Sequence, residues 1–403
     1  MKIGKVLLGG MILLSAASAW EIEKKVVVSE PLDKVDLNGK KISFDVGIGS
    51  GAYHYKGDKS NIIYTITDRG VNIKCKDSKK VLGEEVCKKG KIFPVPNFAP
   101  TIYKIEMNGD SYKVLEKIQI KDKNSIPVTG VSNKGTEKAY DLHGNSIDFD
   151  PNGLDAEALL RVSDGSFWLA EEYGASIVHV DETGKIIKRV VPKGFAKNLE
   201  GANYDISESL PSIIGKRKLN RGIESIGISA DEKTLYFSMQ SPLANPDVKT
   251  YKKSTIVRVF KYDIASDKVV GEYLYQMDKP ESFALDNKKK QNAVKVSDLV
   301  VSGEDELILL ERISKTTKFY RVKLKDSILG SKWDDEKTSP SLEEQTDYKN
   351  LLKKELVLDT SSLKGMPKKV EGLAFIDENN WILVNDNDFG IKGNKTVLVK
   401  IKK

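Results

Sequence analysis

One pattern recurs along this 403-residue chain and constrains its fold more than any other: a strand, a polar turn and a returning strand. It occurs over Gly47–Arg69, Gly153–Tyr173, Arg221–Ser241, Val294–Arg312 and Lys369–Asp388. Each copy has a small or acidic residue near its start and returns through Leu, Ile, Tyr or Trp, the composition of buried strands. The turns carry the residues that tight reversals need: Lys56-Gly57-Asp58, Asp164-Gly165, Ala230-Asp231-Glu232, Gly303-Glu304-Asp305 and Asp377-Glu378-Asn379. Second hairpins follow, pairing Thr101–Met107 with Tyr112–Ile120, Ser176–Val180 with Ile186–Val191, and Thr255–Ile264 with Lys268–Tyr275.

Two hairpins per repeat make a four-stranded sheet, the unit of a β-propeller. The expected fold is therefore all-β, a propeller of four-stranded blades. Five repeats are visible, and the wide interval between the first and second leaves room for a sixth blade. The last repeat has one outer strand, Thr396–Ile401, and Glu23–Ser29 alternates suitably to add the missing one. Such a strand would close the ring and leave no open sheet edge. A pair of β-sandwiches is the alternative. Excursions at 71–100, 193–220 and 326–353 interrupt the pattern, and loops of this kind often carry specificity.

Lys2 and Lys5, the apolar run Val6–Leu14 and Ala17-Ser18-Ala19 have the layout of a cleaved secretory signal peptide. The expected organisation is a signal peptide at 1–19 and one domain at 20–403, located in the periplasm or the medium. No later run is long and apolar enough to span a bilayer, so the mature chain is expected to be soluble. Removing the two signal lysines lowers the net charge from +7 to 65 − 2 − 58 = +5. That excess is spread along the chain, which argues against nucleic acid as a partner. Cys75 and Cys87 share one polar segment, and an oxidising compartment favours a disulfide between them.

A hairpin brings the start of its first strand beside the end of its second. Asp155 and Glu157 then face Glu171 and Glu172, Glu224 faces Gln240, Asp298 faces Glu311, and Glu371 faces Asn385 and Asp386. In the first repeat Ser50 and Gly51 face Asp68. Inner blade strands would gather all of these at one mouth of the channel. So many carboxylates cannot all stay ionised without compensation, and clustered carboxylate oxygens suit a hard cation such as Ca²⁺. Arg69, Arg221 and Arg312 stand beside the acids, either to balance them or to present a fork to an anionic ligand. Structural ion pairing of the whole acidic ring is the competing explanation.

Other chemistries find little support. Asp148–Gly153 resembles part of a calcium loop, but Leu159 stands where a bidentate Glu would be needed, and an Asx-rich turn explains it better. No nucleophile elbow, zinc spacing or nucleotide-binding glycine loop is present. Of His54, His143 and His179, only His143 lies where it could reach the mouth.

Several stretches together resemble one family, the exported phytase-like proteins described as "esterase-like activity of phytase". They include Thr67-Asp68-Arg69-Gly70, Gly153-Leu154-Asp155-Ala156-Glu157-Ala158-Leu159 and Glu171-Glu172-Tyr173-Gly174. Asn220-Arg221-Gly222-Ile223-Glu224, Met239-Gln240-Ser241-Pro242-Leu243, Lys369-Val370-Glu371-Gly372 and Asn385-Asp386-Asn387 continue it. The resemblance implies a propeller-like exported protein with phosphoester or ester hydrolase activity. Members of the family often carry Asp where this chain has Glu171. On this basis the expected activity is Ca²⁺-assisted hydrolysis of a small anionic ester. Asp68, Asp155, Glu157, Asp298, Glu311, Glu371 and Asp386 are the candidate metal ligands. Glu171, Glu224 and Arg221 are the catalytic candidates, and Arg69, Arg312, Tyr173, Gln240 and His143 the substrate-binding ones. A non-catalytic ligand- or protein-binding propeller of the cell envelope is the alternative.

Overall fold

The computed structural model describes residues 19–37 and 40–403. The expected signal peptide lies outside the described residues except for Ala19. The regular structure of the described chain is mostly strand, with short α-helices only at Ser78–Leu82 and Val248–Tyr251 and several 3-10 turns. Among the described residues no helix is long and apolar enough to cross a membrane.

Each repeat forms an antiparallel meander. Sheet 1 runs through Gly51–Tyr53, Ile62–Ile66, Thr101–Asn108 and Ser111–Gln119. Sheet 2 runs through Ala156–Arg161, Phe167–Glu171, Ser176–Val180 and Ile186–Pro192, and Asp205–Leu210 adds a parallel fifth strand from the 193–220 excursion. Sheet 3 comprises Ile223–Ile228, Thr234–Met239, Ile256–Asp263 and Lys268–Gln276. Sheet 4 comprises Lys295–Gly303, Glu306–Arg312, Thr317–Lys323 and Lys354–Asp359. Sheet 5 takes Val370–Asp377, Asn380–Asn385 and Thr396–Lys402 from the C-terminal end, and Glu21–Val28 pairs antiparallel with its third strand. That N-terminal strand is the one expected from its alternation.

Burial follows strand order. Phe167–Glu171 and Ile62–Ile66 are buried at every position, whereas the outermost Ser111–Gln119 is mostly exposed. Continuous apolar runs therefore mark strands covered on both faces, and looser alternation marks the periphery. The apolar clusters lie between successive sheets. Tyr64 and Ile66 meet Leu159 and Phe167 between sheets 1 and 2. Ala374 and Ile382 of sheet 5 meet Ala52 and Ile63 of sheet 1. The starts of first strands also press on the second-strand ends of a neighbouring sheet: a Cβ on Gly49 would lie 2.0 Å from the Asn385 carbonyl oxygen, and one on Gly222 would lie 2.3 Å from that of Glu172. Only glycine permits such contact.

The interval from 121 to 155 forms no further meander of this kind. Its Ala139–Tyr140 and Ser146–Ile147 join Ile73–Lys74 and Lys91–Ile92 of the first excursion in a small separate sheet. Cys75 and Cys87 are disulfide-bonded there, above a local core of Leu37, Ile73, Leu82 and Ile92. The 326–353 excursion separates the last two strands of sheet 4. Buried Arg258 of sheet 3 anchors it, pairing with Glu272 at 2.5 Å and with Glu343 of the excursion at 2.9 Å.

Trp381 joins the chain ends energetically. It is fully buried, lies 4.4 Å from Trp20 and 5.2 Å from Phe319 between ring centres, and sits in the cluster shared by sheets 4 and 5. Trp381→Ala is expected to cost about 3–5 kcal/mol of stability, measured by denaturant unfolding.

Candidate functional site

A repeated irregularity in the first strands builds the site. In sheets 2 to 5 the pairing with the second strand slips between Ala156 and Ala158, Ile223 and Ser225, Val296 and Asp298, and Val370 and Gly372. Each slip is a β-bulge, and its extra residues are Glu157, Glu224, Ser297 and Glu371. In sheet 1 Gly49 and Gly51 both face Ile66, so Ser50 occupies the same place. A bulged residue leaves the ladder and its side chain is re-aimed. Here Ser50, Glu157, Glu224 and Glu371 turn into one cavity of about 690 Å³. The ends of the second strands line the same cavity with Asp68, Glu172, Gln240, Arg312 and Asp386.

Glu157, Glu224 and Glu371 come from three sheets, are all buried, and offer oxygens within 4.8 Å of one another. Asp68, Asp155 and Glu157 form a second such group, so Glu157 belongs to both. Arginines flank the two sets. Arg69 Nη2 lies 2.9 Å from Asp155 and 3.2 Å from Glu172. Arg312 pairs with Glu371 and donates to Ser297 Oγ at 2.9 Å, while Lys369 pairs with Asp386. Gln240 donates to Glu172 at 3.3 Å. Arg221 also lines the cavity and donates to Tyr251.

Burial, with Glu172 nearby, pushes Glu224 up to about 8, and burial with Glu224 beside it raises Glu157 well above the carboxylate range. Burial and Asp386 bring Asp68 up to about 7. Burial, with Arg221 and Arg312 close, pushes Lys295 down to about 7. The Oε2 atom of Glu224 is buried without a hydrogen-bond partner. A cation would satisfy that oxygen and favour the ionised form of its neighbours, so these residues fit a hard divalent ion held by oxygen alone.

Several predicted residues stand elsewhere. Glu171 is enclosed in sheet 2, where its carboxylate accepts from Tyr173 N, Gly174 N, Ser176 Oγ and Arg189 at 2.6–2.8 Å. Asp298 is one residue past the bulge and ties sheet 4 to sheet 5, accepting from Leu373 N at 2.7 Å. Glu311 faces away from the cavity towards Tyr275, Asp278 N and Lys354. Tyr173 is buried under Arg69, 5.1 Å from ring centre to guanidinium, and donates to the Gly130 carbonyl. His143 is exposed on a surface turn. Asp150 takes part in the expected turn, accepting from Asn152 N.

Sequence reasoning missed Lys295 and Lys369, which precede or open first strands, and the wall built by the disulfide-bonded excursion. That wall brings Lys74, Lys80 and Lys91 to the cavity. Lys91 is buried, donates to Asn72 at 2.6 Å, and is pushed down to about 8 by burial and by Arg69.

A family model described as "Phytase-like: Esterase-like activity of phytase" matches residues 49–389. The chain belongs to this family. Over 137 residues the phytase-like chain is 29% identical to an uncharacterized secreted protein of Arthroderma benhamiae, covering 30% of this chain and 26% of that one. It thus spans about a quarter of that relative's length. Among solved structures, regucalcin from Agrobacterium tumefaciens, a calcium-binding protein, is similar at 11% identity over 95% of each chain, with a TM-score of 0.39. The periplasmic gluconolactonase of Pseudomonas aeruginosa is similar at 9% identity over 84% of this chain and 79% of that one, with a TM-score of 0.35.

The two glutamates of different placement are expected to respond oppositely. Glu171→Ala leaves Arg189 buried and unpaired and is expected to cost about 3–5 kcal/mol in denaturant unfolding. Glu224 has a folded pKa of about 8 against an ordinary 4.5. Its protonated form therefore supports the fold fully below about pH 4.5, and that support is lost as pH rises towards 8. In chelator the wild-type melting temperature should fall over this window, and Glu224→Gln, which stays neutral, should flatten the fall.

Proposed function

We propose that the five sheets are the blades of a closed five-bladed propeller, a single domain over residues 20–403, and that the protein is an exported, metal-assisted hydrolase of small anionic esters, phosphate esters foremost. The convergence of Glu157, Glu224 and Glu371 from three sheets, with Glu224 Oε2 left without a partner, carries this reading. These three would hold Ca²⁺, with Asp68 and Asp155 extending the set around Glu157. Bound there, the ion would supply Lewis-acid charge and acidify a coordinated water. Arg69 and Arg221 would bind and orient the ester's anionic group. Arg312 is already engaged by Glu371, Ser297 and the Ile313 carbonyl, and would keep Glu371 in place. Glu172 and Gln240 would fix Arg69 from the second-strand ends. Export is supported by the basic, apolar and small-residue order of the N-terminus and by the Cys75–Cys87 bond.

A binding propeller without catalysis is favoured by one observation: Arg69–Asp155, Arg312–Glu371 and Lys369–Asp386 already neutralise part of the acidic ring. Calcium addition separates the two. The hydrolase is expected to gain several degrees of melting temperature and to cleave p-nitrophenyl phosphate or acetate. In Glu224→Gln the cleavage should drop to the metal-free level with the fold intact. A protein that calcium neither stabilises nor activates towards either ester is not this hydrolase.

A further inference from the structure

We propose that Asn220 is a positioning residue that aligns Arg69 and Arg221 into a two-guanidinium clamp for one oxyanion, a phosphate or carboxylate group. This rests on the cavity described above as a binding site, and it names the residue that organises its anion-binding side.

Asn220 ends the 193–220 excursion, three residues before the first strand of sheet 3 opens at Ile223. Its backbone is left-handed, with φ at +61°. Asn and Gly tolerate that region better than most residues. From this position Asn220 engages both arginines. Its side-chain Oδ1 accepts from Arg69 Nη2 at 2.5 Å, and its carbonyl oxygen accepts from Arg221 Nη1 at 2.5 Å. One residue thereby joins a guanidinium at the end of sheet 1 to another at the start of sheet 3. Gly222 holds the segment close, because its backbone touches that of Glu172. On its far side Arg221 Nε donates to Tyr251 at 3.2 Å.

The clamp also has unmet hydrogen-bonding capacity. Arg69 is 5% exposed, yet its Nε and Nη1 atoms are buried with no hydrogen-bond partner. The Glu137 carboxylate stays 3.9 Å from Nη1. Asp155, Glu172 and Asn220 all crowd the opposite atom, Nη2. A buried donor left unmade is costly, and both bidentate edges of a guanidinium include Nη2, so Arg69 keeps single hydrogen bonds from Nε–H and Nη1–H to offer an oxyanion. By engaging Nη2, Asn220 leaves those two donors free, and its carbonyl holds Arg221 at the same cavity.

The test uses the mature protein in chelator, titrated with inorganic phosphate and separately with acetate, which distinguishes the two oxyanions. Asn220→Gly keeps the left-handed backbone and the carbonyl and removes only Oδ1. The variant is expected to bind the preferred anion about tenfold more weakly, the loss of one charged hydrogen bond. Its melting temperature and its calcium-induced stabilisation should stay at the wild-type values. In ¹⁵N spectra the Arg69 Nε–H signal, identified by its loss in Arg69→Lys, should shift on adding anion to wild type and stay still in Asn220→Gly. Wild-type affinity in the variant, an unmoved Arg69 signal in wild type, or binding of neither anion would overturn the clamp. Absent calcium stabilisation with the anion results as expected would leave the clamp standing and remove the metal-assisted hydrolase.

Discussion

Backbone contact between neighbouring sheets governs the rest. Where first strands begin, Gly49 and Gly222 leave no space for a side chain, and the carbonyls of Asn385 and Glu172 at second-strand ends fill the place a Cβ would take. Strands this close cannot keep every side chain in regular alternation at their ends. The bulges at Glu157, Glu224, Ser297 and Glu371 relieve the crowding by letting one residue out of the ladder in each sheet. The same step aims the three glutamates into one cavity, so the packing constraint and the candidate site have one origin.

That origin explains which parts of the molecule alternation could reveal. Hairpins, turns and the N-terminal strand follow a period of two, and Thr101–Asn108 with Ser111–Gln119 lies almost where the alternating run placed it. A bulge is a one-residue slip, which exchanges the two faces of everything beyond it. Asp298 was therefore expected at the position that Ser297 fills. Glu171 and Glu311 were expected inside, while their successors Glu172 and Arg312 line the cavity. The bulged glutamates themselves were found because each stands at the start of a first strand, where a hairpin brings it beside the end of the second. No local signal announced Lys74, Lys91 or Lys295, whose places depend on an excursion folding back and on the contact between sheets.

The displaced acids are not idle. Glu171 binds Arg189 and three groups of its own turn, Asp298 joins sheets 4 and 5, and Glu311 closes a network with Tyr275 and Lys354. Each is a buried carboxylate with its hydrogen bonds made, the usual condition for a charge in an interior. Glu224 Oε2 lacks such a partner. Single oxygens of Asp155, Glu272 and Glu343 lack one too, but those carboxylates are ion-paired with arginine, and a bound cation would give Glu224 the equivalent.

In the proposed function the disulfide-bonded excursion sets the character of what enters. Acids form the floor of the cavity, and a floor of that kind alone would repel an anion. Lys74, Lys80 and Lys91 line the same cavity, held by a segment with its own small core and covalent tie. A cation on the floor and an anion between it and the wall would each lower the cost of placing the other. On the proposed function the two ligands would bind cooperatively, because each would remove a repulsion that the other would meet alone.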